Sequence, residues 1–339
     1  MKRILCLLLI LCLSLSGCAQ EPQQKQYNAT FLTLFDTVTT VVGKAASEEE
    51  FKAKAQSVHD ELEKYHQCFD IYNEYPEINN LKTVNDQAGI GPVTVDPVVI
   101  DLLQDCKTYY ELTLGTVNVA MGSVLALWHN AREHGFNDPA NAVLPDEENL
   151  REAALHTDIS KVIIDEEAST VYLEDPDMRL DVGAVAKGWA AQRVSEVAPE
   201  GLLISVGGNV CATGPKDAQG TAWVVGVQDP QGGDAYLHTL YLKKGSIVTS
   251  GDYQRAYMVD GKLYHHIIDP NTLYPGRHWR AVTVVCEDSG LADALSTALF
   301  LLPLEEGQAL LEKSGAEAMW VDAEGNQFYS PGFQALIRT

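Results

Sequence analysis

Apolar residues recur at helical spacing in several stretches of the chain. In residues 47–65 they are Phe51, Ala55, Val58 and Leu62, and Ser47 stands where it can cap the first turn. The same reasoning predicts helices over residues 96–111, 149–155, 290–302 and 308–313, one that ends at residue 128 and one that ends near residue 197. Residues 70–86 and 130–146 lack this periodicity, and we predict loops there.

Other stretches alternate apolar and polar residues or are apolar throughout, as is typical of β-strands. Predicted strands cover residues 31–42, 161–164, 170–173, 202–206, 223–228, 237–242, 246–249, 256–259, 262–268, 282–286, 317–321 and 327–329. Short turns separate many of the later strands, which predicts a mostly antiparallel sheet with the helices segregated from it. The expected fold class is α+β: mostly antiparallel sheets flanked by helices, in a single compact unit.

The start of the chain has the pattern of an export signal. Lys2 and Arg3 precede an apolar run over residues 4–15, which is too short for a stable membrane span. The tetrapeptide Leu15-Ser-Gly-Cys18 resembles the bacterial lipobox, after which the cysteine carries a lipid. We expect a signal peptide at 1–17, a lipidated Cys18 with a tether to residue 29, and a domain over 30–339 outside the cytoplasm. An uncleaved anchor is the alternative.

The charge balance narrows the choice of partners. The formal net charge is −23, and it becomes about −25 once Lys2 and Arg3 are removed with the signal. Nucleic acid is therefore not expected as a partner, because phosphate contacts need a basic face. Cys68, Cys106, Cys211 and Cys286 are widely spaced without a Cys-x-x-Cys pair, which disfavours a zinc site. They leave open one or two disulfides or plain buried thiols.

A glycine-containing turn at residues 181–193 is the first candidate for chemistry. Gly183 and Gly188 lie among small residues where a helix is expected to begin. Such a turn lets backbone N–H groups approach an anion, and the helix N-terminus favours negative charge. Asp181 and Lys187 add one charge of each sign. The spacing matches neither common phosphate-binding glycine motif, so a tight connection remains the alternative.

Three further polar turns follow along the chain. Ser205-Val-Gly-Gly-Asn209 permits close backbone approach at a strand end, and Thr249 and Ser250 offer hydroxyls beside Gly251. A glycine bend and a Ser-Gly turn are the respective alternatives. In Tyr264-His-His-Ile-Ile-Asp-Pro270, two histidines precede a carboxylate, a candidate acid/base or phosphate-binding group that could equally be structural. Adjacent histidines in a strand point to opposite faces, which disfavours a shared metal.

The predicted helix around residues 292–298 presents oxygen ligands. Asp293 and Thr297 are four residues apart and share one face, with Ser296 close by. A carboxylate and a hydroxyl suit Mg²⁺, which keeps other positions for water and phosphate. The alternative is a capping aspartate and a threonine bonded to its own helix backbone.

Together these motifs resemble the FAD:protein FMN transferase family, the flavin-transferring lipoproteins related to ApbE. The four turns and the Ala292-Asp-Ala-Leu-Ser-Thr helix occur in the family's order, and the similarity runs from about residue 30 to 335. Phe35-Asp-Thr37 is similar to the family's Met-Gly-Thr strand, the loop beginning Asn73-Glu-Tyr-Pro to its Ser-Glu-Ile loop, and residues 115–128 to its Gly-Ala-Phe-Asp segment. This sequence departs from the family pattern at Pro76, Asn118, Ala120, Ser123, Leu273 and Ser296.

The resemblance implies Mg²⁺-dependent transfer of FMN from FAD to a Ser or Thr hydroxyl of a partner protein, with release of AMP. It implies metal binding by the side chains of Asp293 and Thr297 and the carbonyl of Ala184, with Ser296 where some members have a second metal-binding Asp. His266, supported by Asp269, is the implied catalytic group. The implied FAD-binding residues are Phe35, Tyr72, Ala120, Met121, Gly122, Asp181, Lys187, Gly207, Gly208, Asn209, Thr249, Ser250, Gly251, His266 and Ile267.

Two other functions remain open at this point. One is a Mg²⁺-dependent FAD pyrophosphatase, in which water replaces the acceptor hydroxyl and the products are FMN and AMP. The other is a flavin-binding lipoprotein without turnover. The expected partners are FAD, an acceptor protein and, through the lipid on Cys18, a membrane.

Overall fold

The computed structural model describes residues 24–233, 235–253 and 255–338. Its centre is an eight-stranded sheet in which every neighbouring pair of strands is antiparallel, in the order β1-β2-β6-β7-β10-β13-β14-β15. Three small antiparallel sheets accompany it: β3-β5-β4, β8-β9 and β11-β12. The strands are β1 Lys25–Phe31, β2 Thr39–Ala45, β3 Val93–Thr94, β4 Val162–Asp165, β5 Thr170–Leu173, β6 Leu202–Val206, β7 Asn209–Ala212, β8 Trp223–Gln228, β9 Tyr236–Leu242, β10 Gly245–Gly251, β11 Ala256–Val259, β12 Lys262–His265, β13 Ala281–Cys286, β14 Glu317–Val321 and β15 Gln327–Tyr329.

The helices lie outside this sheet. They are α1 Glu48–Phe69, α2 Leu81–Asp86, α3 Pro97–Leu112, α4 Gly122–Asn137, α5 Glu147–Ala154, α6 Ala186–Val197, α7 Ser289–Leu301 and α8 Leu304–Ser314. Short 3-10 turns occur at Leu34–Asp36, Pro139–Asn141, Ile159–Lys161 and Phe333–Leu336. The α+β prediction of antiparallel sheets flanked by helices is confirmed.

The two faces of the large sheet bury different partners. Side chains alternate between faces along a strand, so Val248 of β10 packs in the core shared with α1, α6 and α7, whereas its neighbour Ile247 packs against β8 and β9. In the same way Trp320 of β14 joins the helical side and Met319 the other. The polar turns between strands are thereby left at the sheet ends.

Several predicted elements are confirmed with their caps. The Ser47 side chain accepts a hydrogen bond from the Glu50 N–H at 3.1 Å at the start of α1, and Asp96 caps α3 in the same manner. The strands predicted over residues 161–164 and 170–173 correspond to β4 and β5, which pair as an antiparallel hairpin. Cys68, Cys106, Cys211 and Cys286 are all free thiols.

Other predictions are wrong. Residues 31–42 are not one strand, because the chain reverses between β1 and β2 through Phe35 and Asp36, both in left-handed conformation (φ 53° and 51°). The predicted loop over 130–146 begins as helix, since α4 continues to residue 137 with Gly135 packed under the Tyr257 ring. The loop over 70–86 contains α2, which Asn80 caps. The strand predicted over 262–268 ends at His265.

The folded part of the chain starts earlier than residue 30. Lys25 already pairs with Ala45 in the large sheet, so residues 25–29 belong to β1 rather than to a tether. The predicted signal peptide and Cys18 lie outside the described residues. Within the described part of the chain, none of the helices combines the length and apolar character required to span a bilayer.

Candidate functional site

The polar turns singled out in the sequence meet at one end of the large sheet. β6 ends at Val206 and β7 begins at Asn209, and between them Gly207 and Gly208 have φ values of 58° and 94°. A Cβ on Gly207 would lie 2.6 Å from the Thr37 hydroxyl, so the close approach requires glycine. These turns border a cavity of about 750 Å³, a size that accommodates a small-molecule ligand.

Most of the predicted site residues line this cavity. They are Phe35, Tyr72, Met121, Asp181, Ala184, Lys187, Gly207, Gly208, Asn209, Thr249, Ser250, Gly251, His266, Ile267, Asp293 and Thr297. Four predicted residues lie outside the lining: Ala120, Gly122, Asp269 and Ser296.

The turn before α6 supplies one wall. Asp181 accepts a hydrogen bond from the Gly183 N–H at 2.8 Å, which holds the turn, and burial raises the pKa of this carboxyl group. One helical turn later, Lys187 Nζ donates to the Gly183 carbonyl at 3.2 Å. The next residue, Gly188, packs directly against α7, where an added Cβ would lie 2.3 Å from the Ser289 carbonyl oxygen. The two helices are therefore in close contact at the cavity.

Asp293 projects from α7 at this contact. Its Oδ2 accepts hydrogen bonds from the Gly188 N–H and from Asn209 Nδ2, each at 2.8 Å, and Lys187 Nζ lies 3.9 Å away. Burial raises the pKa of Asp293, and Lys187 and the two hydrogen bonds oppose this shift. Thr297, one turn along α7, also faces the cavity. A carboxylate, a hydroxyl and the backbone at Ala184 are oxygen donors of the type Mg²⁺ prefers, so this donor set fits the ion.

Ser296 does not belong to that donor set. It is fully buried, and its Oγ donates to the Asp293 carbonyl at 2.9 Å and lies 2.8 Å from Ser250 Oγ. The prediction that Ser296 binds metal disagrees with this geometry, because the helix turns its side chain toward β10 rather than into the cavity.

The two adjacent histidines have different roles in the structure. His265 Nε2 donates to the Gly276 carbonyl at 2.8 Å and its Nδ1 accepts from the Ile267 N–H at 3.2 Å, so both ring nitrogens are used. His266 lines the cavity, and its buried Nδ1 has no hydrogen-bond partner among the described residues. Burial, followed by the charge of Arg255, lowers the pKa of His266 to about 3. Its imidazole is therefore neutral at neutral pH.

Asp269 does not support His266 as the sequence suggested. Its Oδ1 accepts the Asn271 N–H at 2.8 Å, and its backbone closes a tight turn with Leu273 and Tyr274. The carboxylate is thus used within its own turn, outside the cavity. The predicted catalytic role of Asp269 conflicts with this position.

Ala120 and Gly122 shape the site without lining it. The Ala120 N–H donates to Asn118 Oδ1 at 2.9 Å, and the Ala120 side chain is fully buried. Gly122 donates its N–H to the Arg179 carbonyl at 2.9 Å, and a Cβ there would lie 2.5 Å from that oxygen. Both residues place Met121, which does reach the cavity, at the start of α4.

Aromatic and histidine side chains form the remaining wall. The rings of Tyr72 and His129 stack with centroids 5.0 Å apart, and Phe35 meets His66 edge-on at 5.6 Å. The Phe35 N–H also donates to His66 Nδ1 at 3.3 Å. Flat rings next to glycine-containing turns, whose backbone N–H groups can approach a phosphate, suit a nucleotide that carries a planar ring system.

Comparison of this chain with known proteins shows which family it belongs to. The model of the ApbE family matches residues 35–320, most of the chain. The chain belongs to the ApbE family. It is 35% identical over 277 residues to the FAD:protein FMN transferase of Treponema pallidum, covering 76% of this chain and 75% of the relative. A Klebsiella pneumoniae protein of the same name is 35% identical over 245 residues, with 70% and 73% covered.

Solved structures agree on the fold of this ApbE-family chain. The ApbE protein of Thermotoga maritima superposes with a TM-score of 0.81 at 30% identity, covering 94% of this chain and all of that one. The flavin transferase ApbE of Vibrio cholerae gives a TM-score of 0.75 at 22% identity, with 93% and 100% covered, and at that identity it supports the fold alone.

Sequence reasoning missed several polar residues of the cavity in this ApbE-family chain, among them His129, Arg132 and Arg255. Arg132 fell in the segment predicted as a loop, so no helical face was assigned to it. Once α4 is extended, His129 and Arg132 are three residues apart and share a face, a signal that could have found them. Arg255 precedes β11 and carries no local motif.

Proposed function

We propose that this protein transfers the FMN half of FAD to the hydroxyl of a Ser or Thr residue in an acceptor protein, with AMP as the leaving group. The observation that carries the proposal is that Lys187, His266, Asp293 and Thr297, far apart in sequence, border one cavity of ligand size. The names of the related proteins, FAD:protein FMN transferases, support transfer of FMN from FAD to a protein.

A divalent cation, which we propose is Mg²⁺, would be held by Asp293, Thr297 and the carbonyl of Ala184. When bound, such an ion polarises a phosphoryl group and offsets the charge that develops as a phosphate leaves. The chain itself contributes Lys187, whose ammonium group at the start of α6 would neutralise part of the diphosphate charge. Asn209 and the Gly188 N–H orient the Asp293 carboxylate.

The proposed reaction exchanges one phosphorus–oxygen bond for another. The acceptor oxygen bonds to the FMN phosphorus, the bond from that phosphorus to the bridging oxygen breaks, and AMP leaves with the bridging oxygen. The hydroxyl proton would pass to His266, whose Nδ1 is buried and whose Nε2 is the nitrogen left for this role.

The surroundings of His266 favour this use. Arg255 and Lys187 are among the groups that lower its pKa, so the free imidazole is neutral and can accept a proton. A bound diphosphate brings negative charge next to the same cations, which makes protonation of His266 less unfavourable. Proton uptake is thereby coupled to the presence of substrate.

The test is to incubate the protein with FAD, Mg²⁺ and a target that carries an Asp-x-x-Ser/Thr-x-Ala-Thr-like segment. A flavin-fluorescent target band on a denaturing gel is the expected result. Free FMN and AMP formed equally fast without a target would instead indicate the pyrophosphatase, and FAD binding without any product would indicate a flavin-binding protein.

We also propose that the mature protein is exported and anchored by a lipid on Cys18. The support is the lipobox-like Leu15-Ser-Gly-Cys18 after an apolar run. Mass spectrometry of the membrane fraction should find a mature N-terminal peptide that begins with diacylated Cys18, and an unmodified peptide preceding that residue would contradict the assignment.

A further inference from the structure

Two residues on one face of α4 form a hydrogen-bonded pair in the cavity wall. Arg132 Nη2 lies 3.0 Å from Nδ1 of His129. A guanidinium group only donates, so Nδ1 must accept and the neutral His129 ring carries its proton on Nε2. Arg132 therefore selects the tautomer of His129 and leaves the Nε2–H as a donor.

An aromatic ring adjoins this pair. Tyr72 stacks on His129 with an interplanar angle of 30°, and its hydroxyl lies 3.4 Å from the same Nδ1. The Tyr72 residue remains 50% exposed, and it lines the cavity. The wall thus offers a flat ring next to a guanidinium group and an imidazole N–H.

The positive charge of this wall is poorly compensated. The side chain of Arg132 is 14% exposed, and the one carboxylate within 4.0 Å in the described part of the chain is that of Glu133, at 3.7 Å and half exposed. Arg255 makes no ion pair within that distance to any carboxylate of residues 24–233, 235–253 and 255–338. In addition to burial, Arg255 lowers the pKa of Arg132, so the two guanidinium groups repel each other.

Asp181, one of the carboxylates that line the cavity, interacts electrostatically with this wall. Burial raises its pKa, whereas the Gly183 N–H and the charges of His129 and Arg255 lower it. Asp181 already accepts the Gly183 N–H and forms no ion pair with either arginine within 4.0 Å in the described residues. In the described residues Arg255 has no ion pair, and Arg132 is paired only with the half-exposed Glu133. Two such cations that face a cavity of a strongly acidic protein are suited to an anionic ligand.

We propose that Arg132, Arg255 and the Nε2–H of His129 form a further phosphate-binding subsite of this cavity, with Tyr72 stacking on the ring system of the bound nucleotide. The ligand class is a phosphate monoester that carries a planar nitrogen-containing ring system, which describes both the AMP and the FMN half of FAD. The proposal rests on the nucleotide substrate proposed above and adds residues that lie outside the sequence motifs described above.

The experiment is equilibrium titration with AMP and, separately, with FMN, in EDTA so that no metal contributes. The wild type is compared with R132Q and R255Q, and R132K guards against a folding defect because it keeps a cation of similar length. The matched control is R151Q on α5, where Arg151 is 74% exposed and paired with Glu147. All variants are checked first for an unchanged melting curve.

We expect R132Q and R255Q each to weaken binding of at least one nucleotide by about tenfold or more, as for loss of a hydrogen bond to a charged group. The salt dependence of that binding should also decrease, R132K should retain part of the affinity, and R151Q should match the wild type. The nucleotide that is affected identifies which half of FAD occupies the subsite.

Unchanged affinity for both AMP and FMN in R132Q and R255Q would overturn the subsite. If the same wild-type preparation still flavinylates a target, the proposed function survives that result. If the wild type binds neither nucleotide nor FAD and transfers no flavin, the proposed function fails as well.

Discussion

At the scale of single residues, Asp293 has an unfavourable environment for the charge it carries. It is 4% exposed, and the single cation near its carboxylate in the described chain is Lys187, at 3.9 Å. Burial raises its pKa above the unfolded value. The folded state then binds a proton that the unfolded state has lost, so this group adds stability as the pH falls through its folded pKa and removes stability above it.

The variant Asp293→Asn should separate the destabilising effect of the buried carboxylate charge from the effect of that carboxylate on metal binding. The Asn oxygen can accept the same two hydrogen bonds, so at pH 7 and without ligand the variant should melt about 2 to 5 °C higher. The advantage should shrink as the pH is lowered and the wild type becomes protonated. Mg²⁺ should no longer raise the melting temperature in the presence of FAD. The control is Asp269→Asn, which lies outside the cavity and should leave the Mg²⁺ response unchanged. A lower melting temperature of Asp293→Asn together with an intact Mg²⁺ response would contradict this account.

The adjacent histidines allow a matched comparison. His266→Gln should reduce kcat by about 10² to 10⁴ with little change in FAD affinity, because it removes a proton acceptor. His265→Gln should instead lower the melting temperature, since both of its ring nitrogens are hydrogen-bonded within the fold. Steady-state kinetics and thermal denaturation of the two variants check this, and the opposite pattern would exchange their roles.

The lowered pKa of His266 leads to a prediction about the pH dependence of the reaction. The pKa of about 3 for His266 in the free protein means that protonation of this group leaves kcat/KM unchanged between pH 5 and 8. In the substrate complex the diphosphate raises this pKa, so the acid limb of kcat should lie at higher pH than that of kcat/KM. A pH–rate series measures both limbs, and a His266-dependent limb of kcat/KM near neutrality would contradict the assignment.

At the scale of elements, the contact between α6 and α7 positions the proposed metal ligands. Gly188 has no side chain, so its N–H reaches Asp293 Oδ2 while the helices touch. Gly188→Ala would improve helix propensity, yet its Cβ would lie 2.4 Å from Asp293 Cβ. The steric clash outweighs the gain in helix propensity, because Ser289 and Asp293, which the added Cβ would meet, belong to a packed helix.

Gly188→Ala should therefore destabilise the protein by about 1 to 3 kcal/mol, the usual cost of overpacking, and should also weaken Mg²⁺-dependent FAD binding. Urea unfolding and FAD titration with Mg²⁺ provide the two measurements. Gly91→Ala is the control, since an added Cβ there has no heavy atom within 4 Å. Equal stability of the two variants would show that the helices can separate without cost.

At the scale of the whole molecule, the cavity and the start of β1 lie at opposite ends of the large sheet. Lys25 pairs with Ala45, whereas Phe31 pairs with Thr39, at the end that carries Val206 and Asn209. A seven-residue strand is about 20 Å long. The chain thus enters the sheet at the end away from the site.

This arrangement predicts that anchoring leaves the site accessible. The lipidated protein in vesicles should flavinylate a water-soluble target with the same kcat/KM as a version that starts at Gln24. Fluorescence of the modified target measures both rates, with cleavage of the anchored protein from the vesicles as the control. A large loss on vesicles, restored by cleavage, would mean that the cavity faces the bilayer.

The sequence by itself determined the kind of chemistry and the fold class. Each motif is a short contiguous segment whose residue types act locally, such as the glycines of residues 207–208 or the Asp293 and Thr297 pair on one helix. Hydrophobic periodicity likewise reports which face of an element is buried, and the antiparallel arrangement follows from short turns. The reversal at Phe35 and the end of α4 were missed, because they depend on contacts made far along the chain.

Only the tertiary structure decided which of those residues share the cavity. His265 and His266 are equivalent in sequence, and the difference between them comes from Gly276 and from the packing around β12. Asp269 and Ser296 had suitable chemistry, but their local turns direct them elsewhere. Arg132 and Arg255 carry no motif and join the site because α4 and β11 meet there. Side-chain direction is a property of packed elements, and no single segment of the sequence contains it.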